Sequence, residues 1–382
     1  MLIGRPSSLP LLALVSAVSF GMIACSQSDE EVAGDAQEIS ADHLLTLDPS
    51  LPFEVTRVHV ANGPVLGARW GSHNGPVTTT QNFQDPSAAP LVTRWFVPAT
   101  VGAPMSQQPW SARTPEGLPT AAFWGADGFV DLPFGNVTLQ GYTVTNEHSS
   151  GEVFLFSRNY DSVIARAHAN GFYSGVGVTD GTKTRIVYSG LSGFTADPST
   201  TSENALWASD VTASDLVPAG GSTKLFAWEG YSGPVSLDNG GNLFVAASRI
   251  DAEHKIAIYA LTKGQTFASE TTEPATIAEA DTTGTASLAV ASVPGSGTGW
   301  IFAKGYDTTT APAPIYARAY TASADEIAGE GDVIAEAIKP ASPNTSLSAF
   351  ADPNGNLWVS VEIDNVGAWL VQLSPRAATP TP

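Results

Sequence analysis

Cys25 is the only thiol in a chain of 382 residues, so any chemistry that needs sulfur falls to it alone. One cysteine cannot close a disulfide within the chain, and a thiolate zinc site needs several. The other residue types that do chemistry are scattered. The six histidines, His43, His59, His73, His148, His168 and His254, stand apart with no H-E-x-x-H pair among them. A serine nucleophile at a G-x-S-x-G elbow is also missing. Gly230-Tyr231-Ser232-Gly233-Pro234 and Gly190-Leu191-Ser192-Gly193-Phe194 both fail at the last position and read as turns. Pro294-Gly295-Ser296-Gly297-Thr298-Gly299 is rich in glycine but lacks the lysine and the following helix of a phosphate loop.

Oxygen ligands are better represented. The turns at Asp238-Asn239 and Asp352-Asn354 offer carboxylates and amides suited to a hard cation, so calcium is the one ion the residue types favour. Neither turn has EF-hand spacing, and Asp and Asn are what a tight turn selects anyway, so no cofactor is expected. Asn146-Glu147-His148 sets a carboxylate beside an imidazole ahead of a strand, and an exposed polar loop is the simpler expectation. Of nine tryptophans, Trp207, Trp300 and Trp358 fall in strand triplets and are expected in the core. Trp70, Trp110 and Trp228 lie beside turns or prolines and are candidates for stacking on sugars.

Residues 1–24 read as a targeting segment, with Arg5 followed by an apolar stretch from Leu9 to Ala24 that is short for a membrane span. The stretch ends Met22-Ile23-Ala24-Cys25, which resembles the lipobox of bacterial lipoproteins, with Met22 where leucine is usual. The resemblance implies that Cys25 is lipidated and that the chain is anchored to a membrane outside the cytoplasm. Ser26, rather than Asp, after the cysteine implies the outer membrane. A diacylglycerol plus an amide-linked chain meets the two-signal requirement for stable anchoring, at about 0.8 kcal/mol per buried CH₂. Residues 25–50 then carry Asp29, Glu30, Glu31, Asp35, Glu38 and Asp42 with no Lys or Arg before Arg57, and are expected to be a solvated tether.

The formal net charge is −20, and loss of residues 1–24 removes Arg5 alone, leaving 16 basic against 37 acidic side chains. Nucleic acid and anionic lipid surfaces are poor partners for such a chain, whereas a protein or glycan ligand is compatible with it. Only 14% of residues are charged, and glycine and proline are abundant at 36 and 27. That balance suits many short strands joined by tight turns.

Strand-length apolar runs recur from Glu54 to Leu373, among them 138–145, 184–188, 242–247, 255–261 and 356–361. Only 322–338 has the Ala/Glu content of a helix, and Gly329 and Gly331 interrupt it. The clearest repeat pairs Asp238-Asn239-Gly240-Gly241-Asn242-Leu243-Phe244-Val245 with Asp352-Pro353-Asn354-Gly355-Asn356-Leu357-Trp358-Val359. A degenerate copy at Gly299-Trp300-Ile301-Phe302-Ala303 puts Leu243, Ile301 and Leu357 at intervals of 58 and 56 residues. A unit of that length holds about four short strands, whose sheet must stack on neighbours to bury both faces.

At these residues the chain resembles bacterial propellers whose blades carry D-x-x-G-N-L-[WF]-V, including NHL-type repeats and the sensor propellers of two-component regulators. The resemblance implies an all-β fold, a β-propeller of about six to seven blades over residues 51–375, with 376–382 as a disordered tail. Two β-sandwich domains divided between Pro198 and Gly221 are the alternative. The tether and the absence of a local catalytic motif lead to a first functional expectation, a non-catalytic platform for a protein or other ligand. By architecture this is similar to the propeller lipoprotein of the outer-membrane β-barrel assembly machinery. The rivals are a hydrolase or lyase with a metal-dependent site at the central channel, as in lactonase and lyase propellers, and a carbohydrate-binding or sensor surface protein.

Overall fold

Alternating apolar runs become strands, and the strands assemble in groups of four. The computed structural model describes residues 44–62, 68–70, 77–81, 92–96, 106–111, 122–124, 130–132, 134, 137–145, 148–157, 162–197, 202–217, 219–249, 255–281, 285–305, 315–340, 347–351, 354–363 and 367–376. Cys25, the targeting segment and the acidic run after it lie outside these residues, as do Asp352 and Pro353 of the second repeat. Strands β3 to β7 and β9 below, and parts of several others, are described by backbone course alone.

Two strands precede the first complete blade, β1 (Leu45–Leu47) and β2 (Phe53–Asn62). Blade one is β3 (Ala68–Trp70), β4 (Val77–Gln81), β5 (Val92–Phe96) and β6 (Ser106–Ser111). In blade two, β7 (Ala122–Trp124) and β8 (Val130–Asp131) share one edge of β9 (Val137–Thr145), followed by β10 (His148–Phe156) and β11 (Val163–His168). Its innermost strand is therefore split, with Ala122 opposite Thr143 and Val130 opposite Thr138. Blade three is β12 (Ser174–Thr179), β13 (Thr184–Gly190), β14 (Ala205–Val211) and β15 (Thr223–Ala227). Blade four is β16 (Gly230–Leu237), β17 (Leu243–Arg249), β18 (Lys255–Leu261) and β19 (Ala275–Asp281), with the one-turn helix α1 (Lys263–Thr266) after its third strand. Blade five is β20 (Thr285–Ser292), β21 (Thr298–Gly305), β22 (Ile315–Ala322) and β23 (Ile327–Pro340). Blade six begins with β24 (Leu347–Ala351), β25 (Leu357–Ile363) and β26 (Gly367–Pro375).

The sixth blade takes its outermost strand from the other end of the chain. β2 pairs with β26 from Phe53 opposite Pro375 to Asn62 opposite Gly367. Arg376 extends the closure, its backbone N–H donating to Pro52 O at 2.8 Å and its Nε to Phe53 O at 2.9 Å. Inner strands of successive blades touch in the order β3, β24, β20, β16, β12, β8. The fold is thus all-β, a β-propeller whose described strands form six blades, and the two-sandwich alternative fails because these six sheets stack side by side around inner strands.

Packing follows from the strand period of two, which sends alternate residues to opposite neighbouring blades. Leu243 and Val245 of β17 join the cluster against blade three, while Phe244 and Ala246 join the one against blade five. Ile301 faces blade four and Phe302 faces blade six. Leu357 and Val359 face blade five. The three repeat positions therefore point the same way around the ring, although Ile301 sits deeper: it opposes Val290, whereas Leu243 and Leu357 oppose the last inner-strand residues Leu237 and Ala351. The turn of blade five, six residues between the paired Ser292 and Gly299, is one residue longer than those of blades four and six.

Two stretches differ from the sequence expectation. Leu44 and Leu45 are buried and β1 adds a fifth strand to blade five, Leu45 opposite Pro340, so the stretch expected to be tether up to residue 50 already belongs to the ring from Leu44. The Ala/Glu-rich stretch 322–338 is not helix but the end of β22 and most of β23. A Cβ on Gly329 would come within 2.5 Å of Ile277 O in blade four. Arg318 Nη1 donates to the same carbonyl at 2.5 Å. These contacts between blades override a local helix preference that two glycines had already weakened.

Candidate functional site

The first copy of the repeat is built around Asp238, at the turn between β16 and β17. Oδ1 accepts the backbone N–H groups of Gly240 and Asn242, both at 2.8 Å. Oδ2 accepts Asn242 Nδ2 at 2.9 Å and the Tyr320 hydroxyl of blade five at 2.8 Å. Gly241 takes φ +81° and donates its N–H to Asp238 O, which is why a glycine stands there. Burial, and then the Asp238 charge, push the Tyr320 hydroxyl well above its ordinary range, so it stays a proton donor to the carboxylate. Four donors use the lone-pair sites of this carboxylate, leaving none for a cation. The calcium suggested by its residue types does not fit at Asp238, and Asp352 lies outside the described residues.

The same turn locks three blades together. Asn239 donates its backbone N–H to Ser292 Oγ and its Nδ2 to Ser292 O, both at 3.1 Å. From the other side Gly355, at φ +79°, lies so near that a Cβ there would be 2.5 Å from Ser292 O. Around these turns opens a cavity of about 650 Å³ at the end of the ring where first strands pass into second strands. Its walls include Asn242 and Lys263 of blade four, Val293, Pro294 and Thr298 of blade five, and Ala351 at the end of β24.

Along the inner strands the described side chains are small or apolar: Gly177 and Val178 of β12, Val235 and Ser236 of β16, Ala289 and Ala291 of β20. Ser174 Oγ accepts the Val235 N–H at 3.1 Å and Ser189 Oγ donates to Gly233 O at 2.5 Å, so their hydroxyls join blades three and four. Among the described residues no group of three or more His, Cys, Asp or Glu is placed to hold a metal ion.

The other sequence candidates resolve into structure. Gly230–Pro234 is not a turn but the start of β16, where the register with β17 shifts between Ser232 and Val235. Ser192 is buried, accepts the Asn170 N–H at 2.8 Å and donates to Gly193 O at 3.2 Å, which is turn bonding rather than a nucleophile. Trp207 and Trp300 pack against the clusters flanking blades three and five, and Trp358 is buried. Trp228 packs against Phe226 at 5.5 Å rather than standing free for a sugar. The side chains of Trp70 and Trp110 lie outside the description, as do Asn146 and Glu147 and the side chain of His148.

One acid–imidazole pair escaped the sequence reading because its members sit on different strands. Glu152 of β10 and His168 of β11 are cross-strand neighbours, with Nε2 3.9 Å from Oε1 and both largely buried. No local spacing marks such a pair, and it lies inside the sheet rather than in an open cleft.

No protein-family model matches the chain, and no curated protein sequence matches it. Solved structures do. An α-L-arabinanase from Penicillium chrysogenum complexed with arabinobiose is 13% identical, covering 84% of this chain and 98% of that one, with a TM-score of 0.49. An ulvan lyase, a polysaccharide lyase, is 8% identical over 85% of this chain and 96% of its own, TM-score 0.42. The intramolecular trans-sialidase from Ruminococcus gnavus is 9% identical over 82% and 94%, TM-score 0.38. The likeness is one of fold. The expectation of a non-catalytic platform, which rested on the tether and on the absence of a local catalytic motif, is withdrawn: the three similar structures are an arabinanase, a polysaccharide lyase and a trans-sialidase. Absence of a local motif does not argue the other way, because a propeller site draws its residues from separate blades.

Proposed function

We propose that the chain is a glycan-cleaving propeller, a hydrolase or lyase, held outside the cytoplasm by lipid on Cys25. One placement carries the reading. Every blade has at least one carboxylate between its second and third strands: Asp85, Glu147, Asp197 and Glu203, Asp251 and Glu253, Asp307, and Asp364. The strands of each blade alternate in direction from the inner edge outward, so these connections all leave their strands at one end of the ring. Glycoside cleavage by acid–base chemistry needs two carboxyl groups, about 5–9.5 Å apart depending on mechanism, and lyase chemistry needs a base. A ring can bring such groups together from blades that are far apart in sequence. Except for Asp197 and Glu203, these acids lie outside the described residues, and the pair that reacts is left to mutagenesis.

The test is product release from arabinan, ulvan and sialylated glycans, read as new reducing ends and as unsaturated uronate. Asp→Asn and Glu→Gln variants at these positions identify the acid and base. Loss of about 10² or more in rate at one or two positions, with unchanged melting, is the expected result. Absence of product from every glycan overturns the reading, and chelator treatment tells whether a divalent ion is required. The anchor and its outer-membrane placement belong to the same proposal. Metabolic labelling with a fatty acid should be lost in Cys25→Ala, and equal label in both chains would rule the anchor out.

A further inference from the structure

We infer that the cavity at the opposite end of the ring, where Asp238 and Ser292 interlock, is a separate binding site for an uncharged sugar ring. Its size, about 650 Å³, falls in the range of small-ligand sites. The charged groups among its described wall residues do not form an ion site. Lys263 is the one cation and Asp238 the one carboxylate among the described lining residues. The Asp238 oxygens are filled by four donors, so a metal or ammonium ligand finds no free acceptor there. A single exposed lysine on a chain of net charge −20 is a weak attraction for a polyanion.

What remains is an apolar shelf beside hydroxyl and amide groups. Val293 is 52% exposed, the most exposed large apolar residue among those described, and Pro294 lies next to it in the wall. The exposed Thr298 hydroxyl is shared with Ser296 Oγ at 2.9 Å, so one of that pair can turn to a ligand. The Lys263 stem lies over Gly241, its Cδ 3.1 Å from where a Cβ would be, which holds this side chain against the turn at the cavity. A pyranose or furanose ring has the matching character, a C–H face for the shelf and hydroxyls for the turn. The choice of a sugar rests on the glycan reading above, but the site itself is independent of the reaction.

The experiment titrates the mature lipidated chain in detergent with arabinobiose, xylobiose and cellobiose, and separately with a glucuronate-containing disaccharide, by calorimetry and ligand-observed NMR. Val293→Asp puts a charge on the shelf, and Ala324→Trp fills the cavity from an exposed wall position. The expected result is binding of at least one neutral disaccharide, weakened at least tenfold in both variants with unchanged melting temperature. Equal affinity in both variants, binding of the uronate alone, or no binding by any disaccharide would overturn the inference. If the variants lose binding while the unmodified chain releases no product from any polysaccharide, the cavity site stands and the enzyme reading falls.

Discussion

Asp238 looks in the sequence like a cation ligand and in the structure like a keystone. Its four donors come from its own turn and from Tyr320 of the next blade, so its charge is spent on joining blades. Asp238→Asn turns an acceptor into a donor facing donors, and is expected to lower unfolding free energy by about 3 kcal/mol, measured by urea denaturation. Tyr320 and Tyr188 are both buried, and burial raises both hydroxyls above their ordinary value of 10.0. The folded chain thus holds protons that the unfolded chain releases above that value. Their contribution is complete below pH 10 and drains as pH rises further, by about 1.4 kcal/mol per pH unit for each tyrosine. Tyr320→Phe is expected to reduce the alkaline slope by one proton, and an unchanged slope would mean that Tyr320 ionises normally.

Between blades the elements are latched by arginines as well as by apolar clusters. Arg185 of β13 is buried, pairs through Nε with Asp210, and donates Nη1 to Thr266 O at 3.0 Å, at the end of α1 of blade four, and to Ala268 O at 2.8 Å just beyond it. Its guanidinium also lies 5.5 Å from the Phe267 ring centroid. Lysine cannot reproduce that fork, so Arg185→Lys is expected to cost about 2–3 kcal/mol and to open residues 262–274 to proteolysis. Protection equal to the parent chain would show that the latch is dispensable. At this scale the sequence was legible where period and turn chemistry agreed: the motif from Asp238 to Val245 forms a turn and strand, and Leu243, Ile301 and Leu357 share a direction around the ring. It was not legible at 322–338, where the Gly329 contact with Ile277 decides between strand and helix. Nor was β1 legible, since Leu44 and Leu45 are two apolar residues at the end of an acidic run and become core only against β23.

The whole ring explains why function is harder to read than fold. Closure by β2 on β26 joins residues more than three hundred positions apart, and a site at either mouth gathers side chains from several blades. Glu152 and His168 show the same effect within one blade, since their pairing follows from strand register rather than from spacing. Expectations drawn from local motifs therefore favoured a non-catalytic platform, and the carboxylates between second and third strands acquired meaning only once the strands had been assigned to blades. Deleting residues through Asn62 should leave blade six without its outer strand and replace one cooperative melting transition by a broad one, followed by circular dichroism. Catalysis by the ring is tested by one comparison: product release from a panel of neutral and uronate-containing polysaccharides by the parent chain and by its Asp→Asn and Glu→Gln variants at those connections. A glycan-cleaving propeller should turn over at least one substrate as the parent chain and lose that turnover in one or two variants that melt normally; no turnover by the parent on any glycan, or turnover untouched by every variant, would show that these connections do not hold a glycan-cleaving site.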